Sequence, residues 1–181
     1  MQIYRLESDA FVVTFNQFKD NRGWFSETWS DKWLPDLGIP SPFVQQNTVW
    51  TENKNTIRGL HAQSAPAEVA KFIRVIKGSI LDVFVDARQQ SPTFGKWFSY
   101  ELNESTPQIL YIPTGFYHGY MTLTDDVIVH YQQDAFFEPA YEQGLIWNDP
   151  TLQIDWQLNG AVPVVSTKDA QQQTWDQVHK F

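Results

Sequence analysis

An arginine and a histidine, three residues apart with a glycine between them, stand in Asn55-Thr56-Ile57-Arg58-Gly59-Leu60-His61-Ala62-Gln63. His61 is one of only four histidines in the chain. An imidazole takes up and returns a proton near neutral pH, and a guanidinium grips a carboxylate or phosphate with a planar fork of donors. Together they suit a general base brought up to an anionic substrate. The structural alternative is a strand end carrying a solvated arginine and a core histidine.

Strand parity adds two groups to that pair, because side chains alternate across a strand. In Lys71-Phe72-Ile73-Arg74-Val75-Ile76, Lys71 shares a face with Ile73 and Val75; in Val127-Ile128-Val129-His130-Tyr131, Tyr131 shares a face with Val127 and Val129. If those apolar faces line an interior, an ammonium and a phenol point into it. A snorkelling lysine or a satisfied core tyrosine would be the structural reading of each. A base, a cation and an acid in one cavity are what proton transfer next to a carbonyl requires. His118, in Gly115-Phe116-Tyr117-His118-Gly119-Tyr120, follows a sharp turn and can reach the same cavity mouth. His61 and His118 form no His-x-His pair and have no glutamate at ligand spacing, so a metal site is not expected. His130 has the opposite parity to Tyr131 and belongs outside; His179 lies near the chain end and belongs in solvent.

The elements that position these groups read as short strands. Gly, Pro, Asn and Asp recur at short intervals between Phe11–Phe15, Trp24–Trp29, Phe43–Trp50, Lys71–Ile76, Ser79–Asp86, Phe94–Leu102, Gln108–Ile112, Tyr117–Leu123 and Val127–Gln132. The two-residue Lys77-Gly78 connection predicts a hairpin. A short helix is expected over Asp31–Leu37 before the Gly38-Ile39-Pro40 break, and another over Lys168–Phe181. Many short strands favour an all-β sandwich or jelly-roll barrel, an architecture that encloses a cavity. One domain over 1–181 is the simplest division, with a core over about 11–140 and a segment over about 145–181 packing on it.

Composition narrows the classes. A net charge of -8 argues against nucleic-acid binding, which needs a basic surface, although a few converging cations still make a local positive pocket. Without cysteine there is no disulfide, thiolate catalysis or Cys-type zinc site. No apolar run reaches membrane-spanning length and the first residues do not read as a signal peptide, so a cytoplasmic protein without a membrane partner is expected.

The ordered blocks Asp20-Asn21-Arg22-Gly23-Trp24-Phe25-Ser26-Glu27, Phe43-Val44-Gln45-Gln46-Asn47, Arg58-Gly59-Leu60-His61-Ala62-Gln63, Asp82-Val83-Phe84-Val85-Asp86-Ala87-Arg88, Ile112-Pro113-Thr114-Gly115-Phe116-Tyr117-His118-Gly119-Tyr120, Trp147-Asn148-Asp149-Pro150 and Ser166-Thr167-Lys168-Asp169 resemble the dTDP-4-dehydrorhamnose 3,5-epimerase family. The resemblance covers nearly the whole chain. It implies a cupin-like jelly roll (a double-stranded β-helix) with short peripheral and C-terminal helices. It implies an isomerase, without metal or cofactor, that converts dTDP-4-dehydro-6-deoxy-D-glucose to dTDP-4-dehydro-L-rhamnose. By family position His61 is the base, Asp169 its orienting partner, Tyr131 the proton donor and Lys71 the cation at the enolate oxygen. Arg22, Arg58 and Lys168 match diphosphate-gripping positions. Glu27, Gln45, Asn47, His118 and Glu142 match substrate contacts, and Phe137 matches an aromatic that stacks on thymine. The family assembles as a homodimer with exchanged N-terminal strands, in which the segment carrying Arg22 and Glu27 serves the neighbouring subunit. The chain departs from the common pattern at Trp24, Ala62 and Phe137. A 3-epimerase, a 3,5-epimerase of another nucleotide-linked 4-keto-deoxysugar, and a non-catalytic sugar-nucleotide-binding barrel are the alternatives.

Overall fold

The computed structural model describes residues 2–39 and 42–181, which leaves Pro40 of the expected break outside the described residues. The chain opens with β1 (Gln2–Arg5), β2 (Phe11–Thr14) and a small hairpin of β3 (Phe18–Asp20) and β4 (Gly23–Phe25). A 3-10 turn (Asp31–Trp33) runs into the single helical turn α1 (Leu34–Leu37), which Gly38 ends in the left-handed region at φ 72°. Then come β5 (Gln45–Thr51), β6 (Thr56–Gln63), β7 (Lys71–Lys77), β8 (Ser79–Asp86), β9 (Trp97–Asn103), β10 (Gln108–Ile112), β11 (Phe116–Thr122) and β12 (Val127–Gln133). The short β13 (Glu142–Gly144) and β14 (Val164–Val165) follow. Strands stand at β2, β5 and β7 to β12 where expected, whereas Trp24–Trp29 is a strand only as far as Phe25, and β3 and β6 add to the expected set. Lys77-Gly78 does not close the expected hairpin: β7 pairs with β10 and β12 and β8 with β9 and β11, so the chain crosses there from one sheet to the other. β1, β13 and β14 are too short to carry a period.

One sheet runs β1-β2-β10-β7-β12-β5 and the other β13-β6-β11-β8-β9, with β14 beside β6. They face each other across a core that draws Ile73, Val75, Leu110, Val127 and Val129 from the first and Ile80, Phe84, Leu102 and Phe116 from the second. This is the expected all-β, cupin-like jelly roll. Each outer face has its own cover. Phe15, Leu34, Leu37 and Ile39 of the N-terminal connection seal Phe11, Val13, Phe72 and Ile109. On the other side Leu152, Trp156, Trp175 and Val178 of the C-terminal segment seal Ile57, Leu60, Val83, Val85 and Tyr117. Burying each such side chain stabilises by about 2 kcal/mol, so the covers are part of the fold rather than appendages.

The helix expected over Lys168–Phe181 is not there. It shrinks to one 3-10 turn at Asp169–Gln171. The remaining backbone groups find tertiary partners instead: Gln173 bridges to Leu145, and Phe181 bonds Ala87 and Gln89. Trp175 and Val178 are the buried anchors of this stretch, too few for the apolar stripe that a packed helix needs. Among the described residues no helix is long and apolar enough to cross a membrane.

Candidate active site

Three residues along a regular strand separate opposite faces, so Arg58 and His61 should not share one. A bulge in β6 resolves this. His118 pairs with His61 and Tyr120 with Arg58, so two steps on β11 span three on β6. The extra residue turns Arg58 and His61 toward the same interior. Glycine is required there: Gly59 has φ 98°, and a Cβ on it would lie 2.7 Å from the His118 carbonyl oxygen. Gly119 faces it from β11, where a Cβ would lie 2.6 Å from the Arg58 carbonyl oxygen. Gly59→Ala is therefore expected to cost about 1–3 kcal/mol in denaturant unfolding and to abolish turnover, because the strained backbone is what aligns the pair.

His61 Nε2 lies 2.7 Å from Asp169 Oδ1, and the other carboxylate oxygen accepts the Gly59 backbone N–H at 3.1 Å. Asp169 stands on the C-terminal 3-10 turn, held against β6. Burial pushes its carboxyl up, but the bonds from His61 and from the Gly59 amide outweigh that and hold it below the usual carboxylate range. A carboxylate at Nε2 fixes the proton on that nitrogen and leaves Nδ1 as the basic one.

Lys71 and Tyr131 enter from the opposite sheet, on β7 and β12, as parity predicts. Lys71 opens to the cavity, yet enough protein surrounds its ammonium that burial pushes its pKa down to about 8; Asp82 and Glu142 pull it partly back. Burial raises the Tyr131 phenol against the pull of Arg58, so it remains a proton donor at neutral pH. His118 Nε2 lies 2.9 Å from Asp82 Oδ2, and both residues are buried. Burial pushes His118 down and Asp82 up. Asp82 was not among the expected site residues. Its signal was present: it shares parity with Ile80 and Phe84, and a carboxylate on a core face needs a partner.

The cavity has two lobes. One, of about 230 Å³, lies among Val49, Arg58, His118, Tyr120, Val129 and Asp169. The other, of about 290 Å³, lies among Gln45, Asn47, Ala62, Phe137 and Glu142. His61, Lys71 and Tyr131 line both. In the second lobe Gln45 donates to Asn47 and accepts from the Phe137 backbone N–H, and Asn47 donates to Gln133. Lys168 forms an ion pair with Glu142 at 2.6 Å, and Arg58 donates to the Thr51 hydroxyl at 3.0 Å.

Three expected residues lie off the cavity walls: Lys168 stands beside them through its pair with Glu142, and two lie farther away. Arg22 is 85% exposed at the tip of the β3–β4 hairpin, paired with Asp20, and Glu27 lines a separate hollow with Phe15, Phe18 and Trp33. Neither reaches the cavity of its own chain. His130 lies on the outer side of its sheet with Arg74 and Gln132, and His179 is exposed, both as parity and position predict. Among the described residues no three His, Asp or Glu converge to hold a metal ion.

Comparison with known proteins gives a consistent result. The family model described as dTDP-4-dehydrorhamnose 3,5-epimerase matches residues 7–177. A dTDP-4-dehydrorhamnose 3,5-epimerase of Neisseria gonorrhoeae is 42% identical over 172 residues, covering 95% of this chain and 52% of the relative, so the chain spans about half that relative's length. The crystal structure of the Bacillus anthracis enzyme of that name, with TDP and PPi bound, is 37% identical with a TM-score of 0.91, covering 96% of this chain and 98% of that one. The Legionella pneumophila dTDP-6-deoxy-D-glucose-3,5-epimerase, in complex with dTDP-4-keto-L-rhamnose, is 32% identical with a TM-score of 0.92, covering 98% and 94%.

Proposed function

The chain belongs to the dTDP-4-dehydrorhamnose 3,5-epimerase family, and we propose that it inverts C3 and C5 of dTDP-4-dehydro-6-deoxy-D-glucose with His61 as base and Tyr131 as acid. One observation carries this reading: the base and the acid stand on opposite sheets, with the cavity between them. Inversion needs a proton removed from one face of the sugar and another returned to the opposite face, and two facing walls provide that.

The C4 ketone acidifies the hydrogens on C3 and C5. His61 Nδ1 takes one as the electrons move into a C3–C4 or C4–C5 enolate, and the negative charge develops on the C4 oxygen. Lys71 stabilises that oxygen as an ammonium, in a site where burial strengthens the attraction. Tyr131 returns a proton to the other face. Asp169 orients the imidazole, and the buried His118–Asp82 pair supports a substrate contact beside Lys71.

The nucleotide would span both lobes, held at the phosphates by Arg58 of the first and by Lys168 beside Glu142 of the second, and against thymine by Phe137, with Gln45 and Asn47 lining the second lobe. Phe137 is 46% exposed, which leaves its ring face open to a base. A second copy of the chain would bring Arg22 and Glu27 to this cavity. The hairpin that carries Arg22 exposes Phe18, Trp24 and Phe25, an apolar tip suited to a protein surface.

Incubation with dTDP-4-dehydro-6-deoxy-D-glucose in deuterated water, followed by NMR, tests the reaction. Deuterium should enter at both C3 and C5 of the product. Label at C3 alone would identify a 3-epimerase, and binding without any exchange would identify a binding barrel.

A further inference from the structure

Among the described residues two buried side-chain polar atoms lack a hydrogen-bond partner: Gln132 Oε1, on the outer side of its sheet, and the Tyr120 hydroxyl, on the cavity wall. Tyr120 is 5% exposed. It stands on β11, opposite Arg58 of β6 and Asp82 of β8. The groups around it are already engaged. Thr51 is near enough to pull on the phenol, but its hydroxyl accepts from Arg58 Nε at 3.0 Å and no formed hydrogen bond joins it to Tyr120; Asp82 is held by His118. Burying a phenol without an acceptor destabilises the free protein. The hydroxyl lies next to a guanidinium, in a wall that opens to a ligand cavity, so an anionic acceptor would complete both groups at once.

We propose that the Tyr120 hydroxyl donates a hydrogen bond to a phosphoryl oxygen of the bound nucleoside diphosphate, forming an anion grip with Arg58. This rests on the nucleotide-sugar reading of the cavity. A tyrosine here adds a neutral, directional donor to a point of positive charge. It also ties the position of the phosphate to the strand that carries His118.

Binding of thymidine diphosphate and of thymidine to the wild type and to Tyr120→Phe, together with thermal unfolding of both free proteins, tests this. The variant should bind thymidine diphosphate about tenfold more weakly and thymidine equally well. Its free form should unfold at the same temperature or higher, because an unpaired polar atom has been removed. Equal binding of thymidine diphosphate by both proteins would overturn the inference. So would an equal loss for thymidine, or a lower unfolding temperature of the free variant, which would make the hydroxyl structural. A fall in kcat with diphosphate binding intact would place the contact on the sugar and overturn it too. Failure of the wild type itself to bind thymidine diphosphate would refute the nucleotide reading, a distinct result that removes this inference with it.

Discussion

Replacing His61 by alanine should lower kcat by about 10³-fold, the usual scale for losing a general base, while thymidine diphosphate still binds. Asp169→Asn should come close to the same loss for a reason visible in the geometry. One carboxylate oxygen of Asp169 accepts the Gly59 N–H and the other faces His61 Nε2. An asparagine must turn its carbonyl toward the Gly59 amide, since an NH2 there would leave two donors facing each other. Its NH2 then points at Nε2, which must accept, and the imidazole proton moves to Nδ1, the nitrogen needed as base. Asp169→Ala removes the orienting group without forcing the wrong tautomer. The order of kcat should therefore be wild type, then Asp169→Ala, then Asp169→Asn. Steady-state kinetics on the three proteins, with thymidine diphosphate binding as the control for folding, decides this. An asparagine variant more active than the alanine one would refute the tautomer argument; full activity in His61→Ala would refute the base.

That Arg58 and His61 belong to one site was legible from their types, but how they share a face was not. A spacing of three on an ideal strand puts them on opposite sides. Only the pairing register of β6 with β11 reveals the extra residue, and register depends on a partner more than fifty residues away. The glycine between them was the local trace of the bulge. Lys71 and Tyr131 were readable because they lie beside β-branched residues of known parity, in the part of the β7–β12 pairing whose register is unbroken. Asp169 could come only from family position: it lies more than a hundred residues from His61, on a turn with no period. The C-terminal stretch misled for a related reason. Its polar residues permit a helix, but its carbonyls and amides are claimed by Leu145, Ala87 and Gln89, contacts no local pattern encodes. Arg22, offered by family position alone, lies at an exposed hairpin tip paired with Asp20, and no local pattern distinguishes it from a solvated ion pair.

Lys71 should give the protein opposite pH responses in stability and in turnover. Its ammonium is pushed down to about 8 in the folded chain from an ordinary 10.5, burial being the main cause. Between those values the unfolded chain binds a proton that the folded chain does not, so this residue makes stability rise with pH from about 8 to about 10.5. Below about 8 the folded protein carries the buried charge and its full cost. The proposed chemistry runs the other way, because an enolate oxygen is stabilised by the ammonium and not by the neutral amine. The Lys71 contribution to kcat should therefore fall as pH rises through about 8. Lys71→Met keeps a flexible chain of similar length without the charge. It should lower kcat by about 10²–10³-fold, the scale of losing one group that stabilises a developing oxyanion. The same variant should be more stable than the wild type at neutral pH, with the difference shrinking between about 8 and 10.5. Denaturant unfolding of both proteins across that range isolates the lysine, because every other titrating group is common to the two. A methionine variant that keeps its turnover would remove Lys71 from the mechanism, and a stability difference that does not change with pH would mean that the lysine is not held down by burial. If both responses appear together, the residue that weakens the fold at neutral pH is the one the reaction needs charged there.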